Sequence, residues 1–334
     1  MPEAALRGFL VESGVPVEGD LQVELISGGR SNLTFSVRDD LSHWVVRRPP
    51  TGGLTPSAHD MAREWTVTHA LQDTVVPVAG TIAADLTGDA IGAPFTVVEF
   101  VDGNVIRSAE DLQTLGDDDI DRNADTMIRT LADLHAIDHR GVGLSEFGRP
   151  TGFAARQVKL WSRQWGHVKT RDLDDVEVLA DALAEAVPES AAESIVHGDF
   201  RVDNTVLDTD DPGVVRAVVD WEMSTLGDPL TDVALMCVYR EPVFDRVLGF
   251  RAAWTSGRYP DADTLAQRYA TLTGHDLPHW GFYLALANFK LGIIAEGITH
   301  RALNGASSDD GADRAAAATP EFIAAGLRAL RRGD

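Results

Sequence analysis

The sequence is poor in cysteine and in positive charge, and each shortage excludes a class of protein. Cys237 is the one cysteine among 334 residues, so neither an intrachain disulfide nor a thiolate metal cluster can form. Lysine and arginine number 29 against 52 aspartates and glutamates, which gives a formal net charge of −23. Because nucleic-acid backbones demand a basic surface, we expect no nucleic-acid partner.

Long hydrophobic runs and N-terminal targeting patterns are also scarce. The chain begins Met1-Pro-Glu-Ala, without a basic region followed by an apolar one, so we expect no signal peptide. The most apolar stretch, 281–298, contains Asn288, Lys290 and Glu296, which is typical of a buried helix rather than a membrane span. We therefore expect a soluble cytoplasmic protein, either a monomer or a homodimer, with no membrane partner.

What the sequence does contain is a polar loop between two short apolar runs. The segment 195–207 presents Asp199 and Asn204, and Asp220 ends a later apolar run. The separation of Asp199 from Asn204 equals that in the protein-kinase loop His-Arg-Asp-x-x-x-x-Asn. Phosphoryl transfer needs a carboxylate that orients and deprotonates a hydroxyl, with an amide and a second carboxylate to hold Mg²⁺. The pattern therefore predicts Asp199 as the general base and Asn204 and Asp220 as magnesium ligands.

A glycine-rich turn separates two alternating segments near the N-terminus. Apolar and polar residues alternate over 21–26 and again over 33–37, which predicts a β-hairpin. Backbone N–H groups at such a tip can contact phosphate oxygens, although an ordinary hairpin turn is the alternative. The residues of this tip that we assign to nucleotide binding are Ser27, Gly28, Gly29, Ser31 and Asn32.

The next strand and helix supply a candidate ion pair. The segment 43–48 is predicted as a strand, and its alternation directs Arg47 and Arg48 to opposite faces. In a kinase-like lobe the third strand carries the cation that neutralises the α- and β-phosphates, so Arg47 is our candidate; a solvated strand end is the alternative. Glu64 lies in a predicted helix over 59–71 and is a candidate partner for Arg47, with a surface glutamate as the alternative.

A buried strand over 95–101 is predicted to end the first lobe. Backbone groups of Glu99, Phe100 and Val101 would then bond the edge of an adenine. We predict a nucleotide-binding lobe over 1–101 and a catalytic and substrate lobe over 102–334.

The second lobe is predicted to be mostly helical. Thr231 or Asp232 is predicted to cap a helix over 233–239. Further helices are predicted at 243–256, 261–272, 279–298 and 320–332, with a mobile loop at 304–317.

Joined in this order, the motifs resemble those of the aminoglycoside phosphotransferase and choline-kinase-like family. The resemblance covers residues from about 20 to 300 and is greatest to the branch associated with acyl-CoA dehydrogenases. The matching segments are Ser27-Gly-Gly-Arg-Ser-Asn-Leu-Thr34, Val45-Val-Arg-Arg-Pro-Pro50, Val196-His-Gly-Asp-Phe-Arg-Val-Asp-Asn204, Val218-Val-Asp-Trp-Glu222 and Gly227-Asp-Pro229.

This resemblance implies an α+β, two-lobed, protein-kinase-like fold with an N-terminal antiparallel sheet and a larger helical lobe. It also implies ATP, with GTP as an alternative, Mg²⁺, and a small-molecule hydroxyl acceptor. In such a fold His197 supports the catalytic loop, and the region of Trp161 and Trp165 with the 279–298 helix would line the acceptor pocket.

One departure from the family pattern affects the expected substrate. Antibiotic-modifying members carry lysine on the third strand, whereas this chain has Arg47. Arginine keeps the charge but spreads it over a planar fork. The Arg-Arg-Pro-Pro form resembles the branch associated with acyl-CoA dehydrogenases, which disfavours antibiotic resistance. The sequence does not identify the acceptor, and aminoglycosides, other antibiotics, choline-like amines, sugars and hydroxyacyl compounds all stay open. The alternatives to a kinase are a nucleotide-binding module without transfer activity and a metal-dependent phosphohydrolase.

Overall fold

The N-terminal part of the protein is an antiparallel sheet with two helices. The computed structural model describes residues 1–27, 32–50, 60–189, 192–305 and 311–332. The five-stranded sheet has the order β1-β2-β3-β5-β4. Its strands are β1 (Gln22–Ser27), β2 (Leu33–Arg38), β3 (His43–Arg48), β4 (Thr81–Asp85) and β5 (Phe95–Glu99). The accompanying helices are α1 (Glu3–Glu12) and α2 (Met61–Leu71). The predicted antiparallel strands at 21–26, 33–37 and 43–48 are confirmed.

Side chains along β3 alternate between the buried core of this sheet and its opposite face. Trp44 and Val46 are buried in a cluster with Leu6 and Leu10 of α1. Because successive strand residues point to opposite faces, Arg47 lies on the face away from this cluster. Helix α2 begins where the side chain of Asp60 accepts a hydrogen bond from the backbone of its third residue, a common N-cap arrangement.

The C-terminal part is mostly helical, with two small sheets. Its helices are α3 (Asp117–Ala136), α4 (Phe153–Val168), α5 (Asp174–Glu185), α6 (Pro229–Val238), α7 (Phe244–Leu248), α8 (Ala262–Thr273), α9 (Trp280–Leu303) and α10 (Ala312–Arg332). Two antiparallel pairs join β6 (Ser194–Val196) to β9 (Thr225–Gly227) and β7 (Thr205–Leu207) to β8 (Val215–Val218). The predicted α+β architecture, with an N-terminal sheet and a helical C-terminal region, is confirmed.

Helix α9 is the centre of the helical region. It packs against α4, α6 and α10. By length and composition alone it is apolar enough to cross a membrane, but 78% of its most apolar window is buried inside the fold. It therefore has the burial expected of a core helix.

Several predicted helix boundaries were wrong. The helix predicted over 279–298 continues to Leu303, and the differences at α6, α7 and α10 have local reasons. Helix α6 begins at Pro229 with Asp228 as its N-cap, because proline suits the first helical position. The helix predicted over 243–256 ends at Leu248, since Gly249 adopts φ 88°, a left-handed conformation that terminates helices.

Helix α10 begins at Ala312, inside the segment predicted as a loop. Pro320 lies within it and cannot donate to the carbonyl of residue 316. The guanidinium of Arg171 donates to that Ala316 carbonyl instead. This side chain satisfies the acceptor that proline leaves open, so the helix continues. Residues 306–310 of the predicted loop lie outside the described residues.

Candidate active site

A histidine and a glycine shape the loop between β6 and β7. The Nε2 of His197 lies 3.0 Å from the Val219 carbonyl oxygen, and its Nδ1 accepts the Asp199 N–H at 3.2 Å. Gly198 has φ 82°, and a Cβ there would lie 2.7 Å from the Met223 carbonyl oxygen. Only glycine fits both requirements. The imidazole therefore supports the loop backbone, as the family resemblance implied.

Asp232 of α6 lies beneath this loop and holds it from the other side. Its Oδ2 accepts the His197 N–H at 2.6 Å, and its Oδ1 accepts the Gly198 N–H at 2.8 Å. The Nε2 of His135 lies 3.4 Å from Oδ2. Burial acts to raise the pKa of Asp232, but His135, His197 and the Gly198 N–H outweigh it and hold that pKa below its ordinary value. The sequence prediction of Asp232 as a helix cap was wrong.

Replacing Asp232 with alanine should destabilise the protein by about 3–5 kcal/mol, because buried donors would lose their charged partner. Since the folded-state pKa of Asp232 is depressed, its contribution is present above the unfolded pKa of about 3.9 and is lost as pH falls through the folded value. Urea unfolding at neutral and acidic pH measures both effects. Asp263→Ala, an exposed change in the first turn of α8, is the matched control. A cost below about 1 kcal/mol for Asp232→Ala would contradict this assignment.

The structure brings Asp199 and Asn204 into direct contact. The amide Nδ2 of Asn204 donates to the Asp199 carbonyl oxygen at 2.8 Å and to Asp199 Oδ2 at 3.1 Å. The amide oxygen of Asn204 is thereby left for another partner. The Asp199 side chain is 23% exposed, so its carboxylate is reachable from solvent.

Arg47 joins the sheet to the loop that follows β8. Its guanidinium lies 2.7 Å from Glu64 and 2.9 Å from Asp220. The predicted pairing of Arg47 with Glu64 is therefore present. Burial acts to lower the pKa of Arg47, but the charges of Glu64 and Asp220 outweigh it and raise that pKa. Asp220 adopts φ 67°, a conformation that costs energy for most residues and often marks functional sites.

The oxygen donors of Asn204 and Asp220 fit a magnesium ion. Mg²⁺ in proteins usually binds one or two carboxylates together with substrate phosphates and water. Asp220 Oδ1 accepts a hydrogen bond from Arg47, which leaves Oδ2 as the oxygen that can bind the metal. Within the described ranges, no three or more His, Cys, Asp or Glu residues are grouped as metal ligands. The donor set thus suits a cation that phosphate oxygens and water would complete.

The predicted phosphate-binding tip is described only at its two ends. Ser27 ends β1, and Asn32 precedes β2. The Nδ2 of Asn32 donates to Glu222 Oε2 at 3.4 Å, so this end of the hairpin contacts the segment after Asp220. The predicted residues outside the described ranges are Gly28, Gly29 and Ser31.

Of the three residues predicted to line the adenine edge, two use their backbone N–H groups within the sheet. The Glu99 N–H donates to the Gly80 carbonyl at 2.8 Å, and the Phe100 N–H donates to the His43 carbonyl at 3.0 Å. Both are therefore used within the sheet. Among the described residues the Val101 N–H has no acceptor, so it is the donor left for a base edge. The rings of His43 and Phe100 stack at 3.7 Å beside it.

A cavity of about 220 Å³ lies next to the catalytic loop, between α4, α6 and α9. Trp161 and α9 line it as predicted, whereas Trp165 is buried in the core and is not among its lining residues. Apolar side chains form much of its wall: Phe153, Leu160, Trp161, Leu235, Leu286 and Ala287.

Lys290 is a cation that sequence reasoning did not assign to this cavity. Its Nζ donates to the Gly198 carbonyl at 2.7 Å and lies 5.7 Å from the centre of the Trp161 ring. Burial lowers the pKa of Lys290, against the opposing charges of Asp199 and Asp232. A lone lysine within an apolar buried helix was the signal that could have identified it.

The fold and this cluster of charged groups are those of a protein-kinase-like phosphotransferase. Residues 22–267 match the phosphotransferase enzyme family known as APH, and the chain belongs to that family. The resemblance stated from the motifs is therefore confirmed.

Curated relatives support the same assignment. The chain is 34% identical over 322 residues to acyl-CoA dehydrogenase family member 11 of Gallus gallus, covering 94% of this chain and 41% of that protein. The Homo sapiens counterpart is 32% identical over 314 residues, covering 92% and 40%. The chain therefore spans about two fifths of the length of these relatives.

Solved structures share the whole fold. A provisionally assigned aminoglycoside phosphotransferase from Ralstonia eutropha superposes with a TM-score of 0.83 at 29% identity and covers 98% of both chains. A thermostable mutant of the aminoglycoside phosphotransferase APH(4)-Ia, in a ternary complex with ADP and hygromycin B, superposes with a TM-score of 0.61 at 16% identity. It covers 96% of this chain and 98% of its own, and at this identity the likeness shows the fold alone.

Proposed function

We propose that this protein is an ATP-dependent kinase that transfers the γ-phosphoryl group to a hydroxyl of a small molecule. The observation that carries the proposal is that two pairs, Arg47 with Asp220 and Asp199 with Asn204, lie side by side. The N–H of Val219, next to Asp220, donates to the Asn204 carbonyl at 2.9 Å. Arg47 contacts Asp220 at 2.9 Å, and Asn204 contacts Asp199 at 3.1 Å. These are the cation, carboxylates and amide that phosphoryl transfer uses.

Each of these residues has a distinct role in the proposed reaction. Asn204 and Asp220 would hold Mg²⁺, which when bound offsets charge on the phosphate oxygens. Arg47, oriented by Glu64, neutralises phosphate charge on the sheet side. Asp199 accepts the hydrogen of the acceptor hydroxyl and orients the hydroxyl oxygen toward the phosphoryl group. Positioning and charge stabilisation account for most of the acceleration in this class of reaction.

The ends of the glycine hairpin and the strand edge suit a nucleotide. Val101 offers a backbone N–H to a base edge, and Ser27 and Asn32 flank the predicted phosphate-binding tip. One such donor serves either purine, so ATP and GTP are both candidates.

The cavity beside Gly198 is the proposed acceptor site, and its chemistry narrows the acceptor. An ammonium group has three donors, and Lys290 uses one on Gly198. The remaining donors favour an acceptor with an oxygen group near its reactive hydroxyl, and the apolar walls favour a hydrocarbon body. Arg63 and Lys290 balance the charges of Glu222 and Asp232 in the lining, so the cavity has no excess negative charge to attract polycationic aminoglycosides. We therefore propose a neutral or anionic alcohol.

The proposed role of Arg47 can be tested by measuring how ATP or GTP shifts the melting temperature of the wild type and of an Arg47 variant. ATP or GTP should raise the melting temperature in the presence of Mg²⁺, because ligand binding to the folded state adds stability. Arg47→Met should weaken nucleotide binding by about 1.5–3 kcal/mol, the worth of a charged hydrogen bond. Combining it with Glu64→Gln removes the buried carboxylate that the single variant leaves unpaired.

Arg38→Met on β2, an exposed arginine, is the control and should leave the nucleotide-induced shift unchanged. A comparable shift in Arg47→Met and wild type would contradict the assigned role of Arg47. No shift in wild type with either nucleotide would contradict the proposed function.

A further inference from the structure

We propose that Tyr239 and Arg201 position the carboxylate of Asp199 by covering its Oδ1 and leaving Oδ2 for the acceptor hydroxyl. This inference rests on the proposed kinase function and adds two positioning residues to it. Neither residue was assigned a role from the sequence. Asp203 contacts Arg201, and Phe244 packs against both Tyr239 and Arg201.

Tyr239 reaches Asp199 from the C-terminal end of α6. Its side chain is buried, and its hydroxyl donates to Asp199 Oδ1. The Tyr239 ring packs against Phe244 with ring centres 4.5 Å apart. Burial, together with the neighbouring charge of Asp199, raises the pKa of Tyr239 well above its ordinary value. The phenol therefore keeps its proton, and remains a donor, across the neutral pH range.

Arg201 approaches the same oxygen from within the catalytic loop. Its Nε lies 3.3 Å from Asp199 Oδ1, and its NH1 lies 3.0 Å from Asp203 Oδ2. Neither contact has the alignment of a hydrogen bond, so both are electrostatic. The guanidinium lies 5.4 Å from the centre of the Tyr239 ring and 5.6 Å from that of Phe244. This aromatic pair limits the movement of the guanidinium.

The distribution of donors makes the two oxygens of Asp199 unequal. A carboxylate has about four acceptor positions, two on each oxygen. The Tyr239 hydroxyl and the Arg201 guanidinium contact Oδ1, whereas Oδ2 accepts one hydrogen bond, from Asn204. Each oxygen thus accepts one hydrogen bond, but the Arg201 guanidinium also lies 3.3 Å from Oδ1 and occupies the space beside it. The position left for the acceptor hydroxyl is therefore on Oδ2. Rotation of the carboxylate would break the hydrogen bond from Tyr239. Tyr239 and Arg201 together therefore act as a clamp that selects one orientation of the carboxylate for in-line attack.

Tyr239→Phe removes the hydroxyl and keeps the ring that supports Arg201. With Mg²⁺-ATP and water as the acceptor, we expect the kcat for phosphate release to fall about 10- to 100-fold, as for a misplaced reacting group. The KM for ATP should stay within about twofold, because the clamp does not contact the nucleotide. Arg201→Met should likewise lower kcat, and Arg201→Lys should restore part of it by keeping the charge.

Tyr259→Phe is the matched control, since the buried hydroxyl of Tyr259 donates to Asn123 at 2.8 Å, away from Asp199. It should destabilise the fold like Tyr239→Phe yet leave kcat unchanged. A normal kcat in Tyr239→Phe, or an equal loss in Tyr259→Phe, would overturn the clamp while the kinase function stands. If wild type bound ATP but transferred phosphate neither to water nor to any small-molecule alcohol, both the proposed function and the clamp would fall.

Discussion

Asp199→Asn is expected to lower the kcat for phosphoryl transfer by about 10²- to 10⁴-fold, the usual contribution of a general base. The amide has nearly the same shape as the carboxylate but cannot take the proton of the acceptor hydroxyl. Its NH₂ group would also face the donors of Tyr239 or Asn204, which now meet a carboxylate. Steady-state kinetics with Mg²⁺-ATP measures the loss.

Two comparisons make this result specific to the base. Nucleotide affinity should be retained, because Asp199 is not one of the proposed magnesium ligands. Asp208→Asn, at a partly exposed residue that pairs with Arg216, should keep full turnover. Near-native turnover in Asp199→Asn would remove Asp199 from the reaction and with it the mechanism proposed above.

Asp220→Ala is expected to abolish the magnesium dependence of nucleotide binding. Loss of groups that merely orient metal ligands costs about 10- to 100-fold in metal affinity, and a direct ligand should cost at least as much. Titration calorimetry of ATP binding, in Mg²⁺ and in EDTA, should give the same weak affinity for the variant. Wild type should bind much more tightly in Mg²⁺.

Backbone conformation requires a second variant at this position. Asp220 has φ 67°, and alanine in the left-handed region costs roughly 1–2 kcal/mol. Asparagine tolerates this region, so Asp220→Asn isolates the loss of charge. If Asp220→Asn and Asp220→Ala both bound Mg²⁺-ATP as tightly as wild type, Asp220 would not be a magnesium ligand.

Local sequence patterns predicted the parts of the site that depend on short-range order. Alternation along β3 directed Arg47 to the cleft, because strand geometry has a period of two. Asp199 and Asn204 lie five residues apart on one short loop, and in the structure their side chains are in contact. The pairing of Arg47 with Glu64 was predicted from the order of a strand and a helix. In each case the interaction follows from an element whose geometry the local sequence specifies.

Residues that act across long sequence separations were missed. Asp232 looked like a helix cap, because nothing local indicates that the Gly198 N–H lies above it. Tyr239, which follows the last residue of α6, and Lys290 of α9 lie far along the chain from Asp199, and only helix packing brings them together. Sheet pairing also uses the N–H groups of Glu99 and Phe100, which the local sequence could not show.

Phosphorus NMR of wild-type protein with Mg²⁺-ATP and separate acceptors tests the central claim most directly. Kanamycin, choline, glucose and 6-hydroxyhexanoate represent polycationic, cationic, neutral and anionic alcohols. We predict ADP together with a new phosphomonoester signal that needs both the acceptor and Asp199, and that is strongest for neutral or anionic alcohols. ATP binding without a phosphomonoester from any acceptor class would contradict the account and indicate a nucleotide-binding module.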